Sequence, residues 1–172
     1  MTWTAPGVER TAASALAGER AALEGWLDFH RDTLLLKCQG LTGDQLAARV
    51  LKPSTLSLLG LVRHMAEVER AWFRLRFAGQ PVKFLFSSEE FPDGEFDFAE
   101  ASAAEADFAT YREECALARE AAAGRSLDDT FVSRHGRTLD LRWIYLHMIE
   151  EYARHNGHAD FLREQIDGAT GY

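Results

Sequence analysis

The stretch from Leu139 to Ile166, LDLRWIYLHMIEEYARHNGHADFLREQI, contains no proline and is built almost wholly from good helix formers. It predicts one long helix, which fixes the length of whatever packs beside it. Along it, His147, Glu151, His155 and His158 follow at spacings of four, four and three. At about 100° per residue these four side chains fall within roughly 80° of one another. The apolar residues Leu141, Ile144, Met148, Leu162 and Ile166 occupy an overlapping arc that should face a core. Glu151 and His155 read as lying inside that arc, with His147 and His158 on its margin. An unpaired buried charge costs several kcal/mol, so a metal ion is the economical explanation for an acid and an imidazole placed there.

The remaining chain supplies partners for this helix. Leu23, Trp26, Leu27, His30 and Leu34 recur at helical spacing, predicting a first helix firm from Glu19 to Gln39 and stopped by Gly40. Residues 1–7 read as a loose tail. Thr42-Gly-Asp-Gln reads as a short capped turn before the interruption at Lys52-Pro53. Leu58, Leu61, Met65, Val68, Trp72 and Leu75 form the stripe of a second helix from about Ser54 or Thr55 to Ala78, with His64 beside that stripe. Pro81 to Phe98 is aromatic-rich without helical period and reads as a long loop packed over an opening. A third helix is predicted from about Phe98 to Ala123, with Ala101, Ala104, Phe108, Tyr111, Cys115 and Ala118 on one face. Arg125 to Thr138 reads as a turn between short extended pieces, and Asp140 or Thr138 can cap the fourth helix, which Gly168 ends. Four long amphipathic helices with no substantial sheet give an all-α chain, a four-helix bundle over residues 1–172 as one domain.

Composition excludes several function classes. A formal net charge of −8 argues against a nucleic-acid surface, which needs a basic face. No apolar run approaches the roughly 20 residues that span a bilayer, and the first residues do not read as a secretion signal. With two cysteines, Cys38 and Cys115, a disulfide framework is not expected. The expectation is a cytoplasmic protein without membrane or nucleic-acid partners.

Metal sites in bundles are built from side chains on facing helices. Glu151 and His155 lie one turn apart, and His64 offers an imidazole from another helix. Two nitrogens and one oxygen leave a position open, as catalytic sites do, and suit zinc, iron(II) or nickel. His158 can replace Glu151 or add a ligand, and His147 reads as a rim residue. Other candidates read more plainly. His30 is expected to pack or be partly exposed, Cys38 and Cys115 to be buried and inert. Arg63, Glu67, Glu69 and Arg70 look like a solvated face with local ion pairs. Arg142 and Arg154 can hold an anionic substrate group near the site but default to surface roles, Arg76 defaults to the periphery, and His135 to an exposed turn.

These residues carry a resemblance. LSLLGLVRHMAEVERAWF (56–73) and YLHMIEEYARHNGHADFLREQIDGATG (145–171), with GWLDFHRDTLLLKCQGL (25–41) and Lys52-Pro-Ser, resemble the DinB / YfiT-like superfamily. The likeness is to its actinobacterial branch long labelled mini-circle protein, related to the N-terminal domains of mycothiol-dependent maleylpyruvate isomerases. It implies a four-helix bundle holding a divalent metal by a histidine of helix two and two residues one turn apart on the last helix. Those positions correspond to His64, Glu151 and His155. Many relatives have His in place of the glutamate; the maleylpyruvate isomerases have Glu, as here. The implied activity is that of an S-transferase or isomerase. It would use a low-molecular-weight thiol such as mycothiol and a small-molecule electrophile, with a metal-activated thiolate and His158 or His147 moving a proton. The resemblance also allows a homodimer. Two other readings use the same residues: a hydrolase with metal-bound water and Glu67 or His158 as base, and a non-catalytic metal-binding stress or interaction protein.

Overall fold

The computed structural model describes residues 2–171 and is all-α in class, with 58% of residues helical and 5% in strands. The main helices are α1 (Glu19–Cys38), α2 (Gly43–Ala47), α3 (Leu58–Glu69), α4 (Gly94–Asp97), α5 (Ala104–Ala122) and α6 (Leu141–Asp167). The chain leaves α3 without a break as a π-helical segment, Arg70–Phe77, and enters α5 through a 3-10 turn, Ala101–Ala103. Two three-residue strands, β1 (Thr130–Val132) and β2 (Thr138–Asp140), form an antiparallel hairpin that pairs Phe131 with Leu139.

The boundaries follow the sequence signals closely. Thr42 and Gln45 make a reciprocal capping box at α2. Ser57, two or three residues later than expected, caps α3 by accepting the Gly60 amide at 3.0 Å. Asp140 accepts the Trp143 amide at 2.7 Å and starts α6. Gly168 ends that helix at φ 76°, a left-handed position that suits glycine. The expected turn at 125–138 is the β1–β2 hairpin. One expectation fails: residues 2–7 are not loose. Ala5 donates to Leu41 O at 2.9 Å and accepts from the Gly40 amide at 2.8 Å, and Trp3 meets Phe108 edge-on. Met1 lies outside the described residues.

Helix α1 packs along α6, and α3 packs on α5 while also touching α1, α2, α4 and α6. The core between them includes Leu27, Leu34, Leu61, Met65, Phe108, Ile144 and Met148, all buried. Helix α3 is buried nearly all round, because the segment after the π-helix folds back over its outer side. The reading of its charges as a solvated face is therefore overturned: Arg63, Glu67 and Glu69 are 7%, 5% and 0% exposed. Arg70 is also engaged, donating to Glu114 at 2.6 Å.

Glu69 sits in the core opposite Arg31 of α1, which donates to both carboxylate oxygens at 2.7 Å. Tyr152 of α6 adds a hydrogen bond at 2.8 Å and is itself 3.0 Å from Tyr111 of α5. One buried carboxylate thus ties α1, α3 and α6 together, with α5 one bond further. Glu69→Ala leaves Arg31 charged and without this partner, and should lower stability by about 3–5 kcal/mol. Arg119→Ala breaks an exposed pair with Asp28 and should change it by about 0–1 kcal/mol. Urea unfolding of the two variants measures both; equal shifts would contradict the buried network.

Candidate metal centre

Three elements bring the site together. Helix α3 carries His64, α6 carries Glu151 and His155, and the short helix α4 presents Glu95 and Phe96. The ligand atoms of His64, Glu151 and His155 all lie within 4.8 Å of one another, and the His64 and His155 rings meet edge-on at 4.7 Å. Glu151 Oε2 is 3.5 Å from His155 Nε2, and Oε1 is 3.5 Å from His147 Nε2. The neighbouring His155 ring holds the Glu151 carboxyl below its ordinary pKa, burial opposing and His147 and His64 adding to the effect. The group lies on the flank of α6, with Glu151 and His155 half-buried, instead of deep in the core arc. That arc is taken by Tyr145, Met148, Tyr152 and Asn156.

Each imidazole has a partner on its far side. His64 Nδ1 is 3.2 Å from Glu95 Oε1. Burial alone would raise the Glu95 pKa, but the His64 hydrogen bond and the charges of His64 and Arg63 hold it lowered. The carboxylate is thus the acceptor and His64 Nδ1–H the donor, which leaves His64 Nε2 free to face the group. His155 Nδ1 is 3.3 Å from His158 Nδ1, so His158 stands behind His155. Its pKa is lowered by burial first, then by His155 and Arg154. Partners of this kind fix ring orientation around metal ions.

A cleft of about 230 Å³ opens beside the group, its lining including His64, Glu95, Glu151, His147, Trp72 and Arg76. The chain matches a family model described as mycothiol-S-transferase over residues 22–168. It belongs to that family, a DinB/YfiT-like one. No curated protein matches the chain. Larger cavities lie elsewhere. One of about 440 Å³ between α1, α6 and the C-terminal residues includes His30 and Asn156 in its lining. His30 therefore faces a different opening, 3.4 Å from the Asn156 amide.

The loop over the cleft is held by side chains of α3. Glu67 accepts the amides of Leu85, Phe86 and Ser87 at 2.6, 3.0 and 2.9 Å, and the Ser87 hydroxyl at 2.8 Å. Arg63 donates to the carbonyls of Glu95 and Gly94 and to Asp107, and lies over the Phe86 ring at 4.0 Å. Gly60 makes the close approach possible, because a Cβ there would sit 2.9 Å from the Phe96 ring. Phe96 in turn stacks on His64 at 5.2 Å. With four donors already on its carboxylate, Glu67 is not available as the base of a hydrolase.

Glu95 and Trp72 are the site residues that sequence reasoning missed. Glu95 sits in a stretch without periodicity, so nothing pointed to His64. Trp72 had only its apolar spacing. The remaining candidates settle as expected or nearly so. Cys38 and Cys115 are buried, and burial pushes each thiol up to about 12. Arg142 pairs with Glu19, Asp128 and Asp140, and Arg154 with Glu150. His135 is exposed. Arg76 is a correction: it is not peripheral but part of the cleft wall, 4.1 Å over Trp72.

Two outcomes follow. Hydrogen bonds to a charged group contribute about 1.5–3 kcal/mol each, so Glu67→Ala should free the loop. Amide exchange at Leu85, Phe86 and Ser87 should rise at least about tenfold while α6 keeps its protection; unchanged exchange would show the loop is held otherwise. Native protein at pH 8 should resist thiol alkylation at Cys38 and Cys115. Because their folded pKa lies above the unfolded one, their contribution to stability is intact below about 9 and lost toward about 12. Rapid labelling without unfolding, or no alkaline loss of stability, would contradict this.

Proposed function

We propose that the chain is a metal-dependent mycothiol S-transferase, a single DinB-type four-helix-bundle domain acting in the cytoplasm, with His64, Glu151 and His155 as the metal ligands. The observation that carries the reading is the convergence of these three donors within 4.8 Å, in a chain of the mycothiol-S-transferase family. The donor set fits a divalent ion. Two imidazole nitrogens have their opposite nitrogens engaged by Glu95 and His158, and one carboxylate completes the set. Such ligands suit zinc best, with nickel and iron(II) as alternatives.

When bound, the ion would lower the pKa of a thiol so that thiolate exists at neutral pH. The protein's own groups do the rest. His147 Nε2, on the cleft wall beside Glu151, is the base placed to take the thiol proton. Glu95 holds His64 in one tautomer through Nδ1, and His158 does the same for His155, so His158 acts by positioning a ligand. Phe84 and Phe96, brought over by the Glu67 anchor, keep water from the sulfur and the electrophile. The sulfur forms a bond to the electrophilic carbon, and the leaving group departs with its electron pair.

Metal analysis by mass spectrometry, on protein purified without added metal or an affinity tag, tests this reading. Wild type should carry about one ion per chain and catalyse mycothiol-dependent turnover of an alkylating electrophile; His64→Ala and His155→Ala should lose both. No ion after zinc or nickel is added back would make the cluster a polar network and end the enzyme reading. Release of acid or amine without thiol would turn it to hydrolysis.

A further inference from the structure

We propose that Arg76, stacked on Trp72 at the wall of the cleft, is an anion subsite that binds a carboxylate carried by the electrophile. This rests on the reading of the cleft as the substrate site and names the class of substrate it selects.

Arg76 differs from most of the half-buried and buried arginines; Arg10 lies over Phe29 and donates to the Thr33 hydroxyl. Arg20, Arg31, Arg63, Arg70, Arg74, Arg142 and Arg163 each donate to a carboxylate or a carbonyl of the chain. Arg76 has the Trp72 ring at 4.1 Å, and among the described residues it makes no hydrogen bond or ion pair. The chain holds 27 acidic side chains against 19 basic ones, so an acid to pair with it was available in composition and is not supplied. The carboxylates that share the cleft are all turned to other partners. Glu67 holds the loop amides, Glu95 holds His64, and Glu151 lies between His147 and His155.

The stacking leaves the recognition edge open. A guanidinium lying on an indole uses its face, while its N–H groups point outward in the plane, in the fork that matches a carboxylate bidentately. The floor continues from that point toward the metal group. Trp72 packs on Trp143 at 5.1 Å and on His147 at 4.7 Å, and His147 reaches Glu151. An anionic group on Arg76 therefore leaves the remainder of a small molecule lying over aromatic rings on the way to Glu151. The π-helical segment Arg70–Phe77 carries both Trp72 and Arg76, and such segments concentrate at functional sites. Burial, then the charge of Arg134 on the hairpin turn, lowers the Arg76 pKa.

Tryptophan fluorescence with benzoate and its neutral counterpart benzamide tests the subsite without turnover, in metal-stripped protein so that benzoate cannot act as a metal ligand. Benzoate should perturb the emission of wild type. Its affinity should fall roughly tenfold to a hundredfold in Arg76→Gln and less in Arg76→Lys, with benzamide unaffected. In turnover, Arg76→Gln should raise KM for a carboxylated alkylating agent by the same factor. KM for the thiol and for an uncharged alkylating agent should stay unchanged. Benzoate that binds wild type and Arg76→Gln alike, or not at all, overturns the subsite even where thiol transfer proceeds. Equal loss with charged and neutral electrophiles also overturns it, as a structural effect. Benzoate binding that depends on Arg76 in a protein with no thiol-dependent turnover leaves the subsite standing and removes the proposed reaction.

Discussion

Helix α3 is buried nearly all round, and Arg63, Glu67 and Glu69 on it must be met by protein. These three charges fall within residues 63–69, and each is answered by a different part of the chain. Glu69 draws Arg31 and Tyr152 into the core. Glu67 gathers the amides of Leu85 to Ser87. Arg63 takes the carbonyls of Gly94 and Glu95 together with Asp107. An unmet charge in any of these places would cost several kcal/mol. The irregular segment after the π-helix is therefore an obligatory partner of α3, shaped by what that helix needs.

The candidate metal centre inherits its geometry from that requirement. Fixing the loop at residues 85–87 and again at 94–95 leaves Glu95 at His64 Nδ1 and Phe96 against the His64 ring. The closeness depends on Gly60, where a side chain would strike Phe96. His64 is thereby held from behind by a carboxylate and from its face by an aromatic ring, with its second nitrogen toward α6. On the other side, α6 needs only its own helical spacing to bring Glu151 and His155 together, with His158 one turn beyond. The two halves of the site thus differ in origin: one is local, the other depends on a tertiary fold-back.

That difference decides what could be read from the sequence. Spacings within one helix survive folding unchanged, so the His147–His158 register, the Asp140 cap, the Gly168 stop and the Thr42 capping box were all legible. His64 was legible by its place beside an apolar stripe. Arg63, Glu67 and Glu69 were misread for a physical reason. Charged residues on a helix are normally solvated, and nothing in their spacing tells of a loop that returns to cover them. Glu95 was invisible for the complementary reason, since a residue in an aperiodic stretch has no predictable direction. Arg76 looked peripheral because its position was projected along a regular helix, whereas the chain changes register there into a π-helical segment.

The register change also explains why the cleft exists where it does. Up to Glu69 the helix is buried nearly all round, and Arg63, Glu67 and Glu69 are all met by other parts of the chain. Beyond it, the π-helical segment presents Trp72 toward Trp143 and His147 and leaves Arg76 on that aromatic floor. Among the described residues, Arg76 lies over this aromatic floor without a carboxylate or carbonyl to receive its protons. The same helix thus serves two ends. Its α-helical part spends its charges on holding the fold and the loop, and its π-helical part leaves one charge for a molecule that the chain does not itself contain.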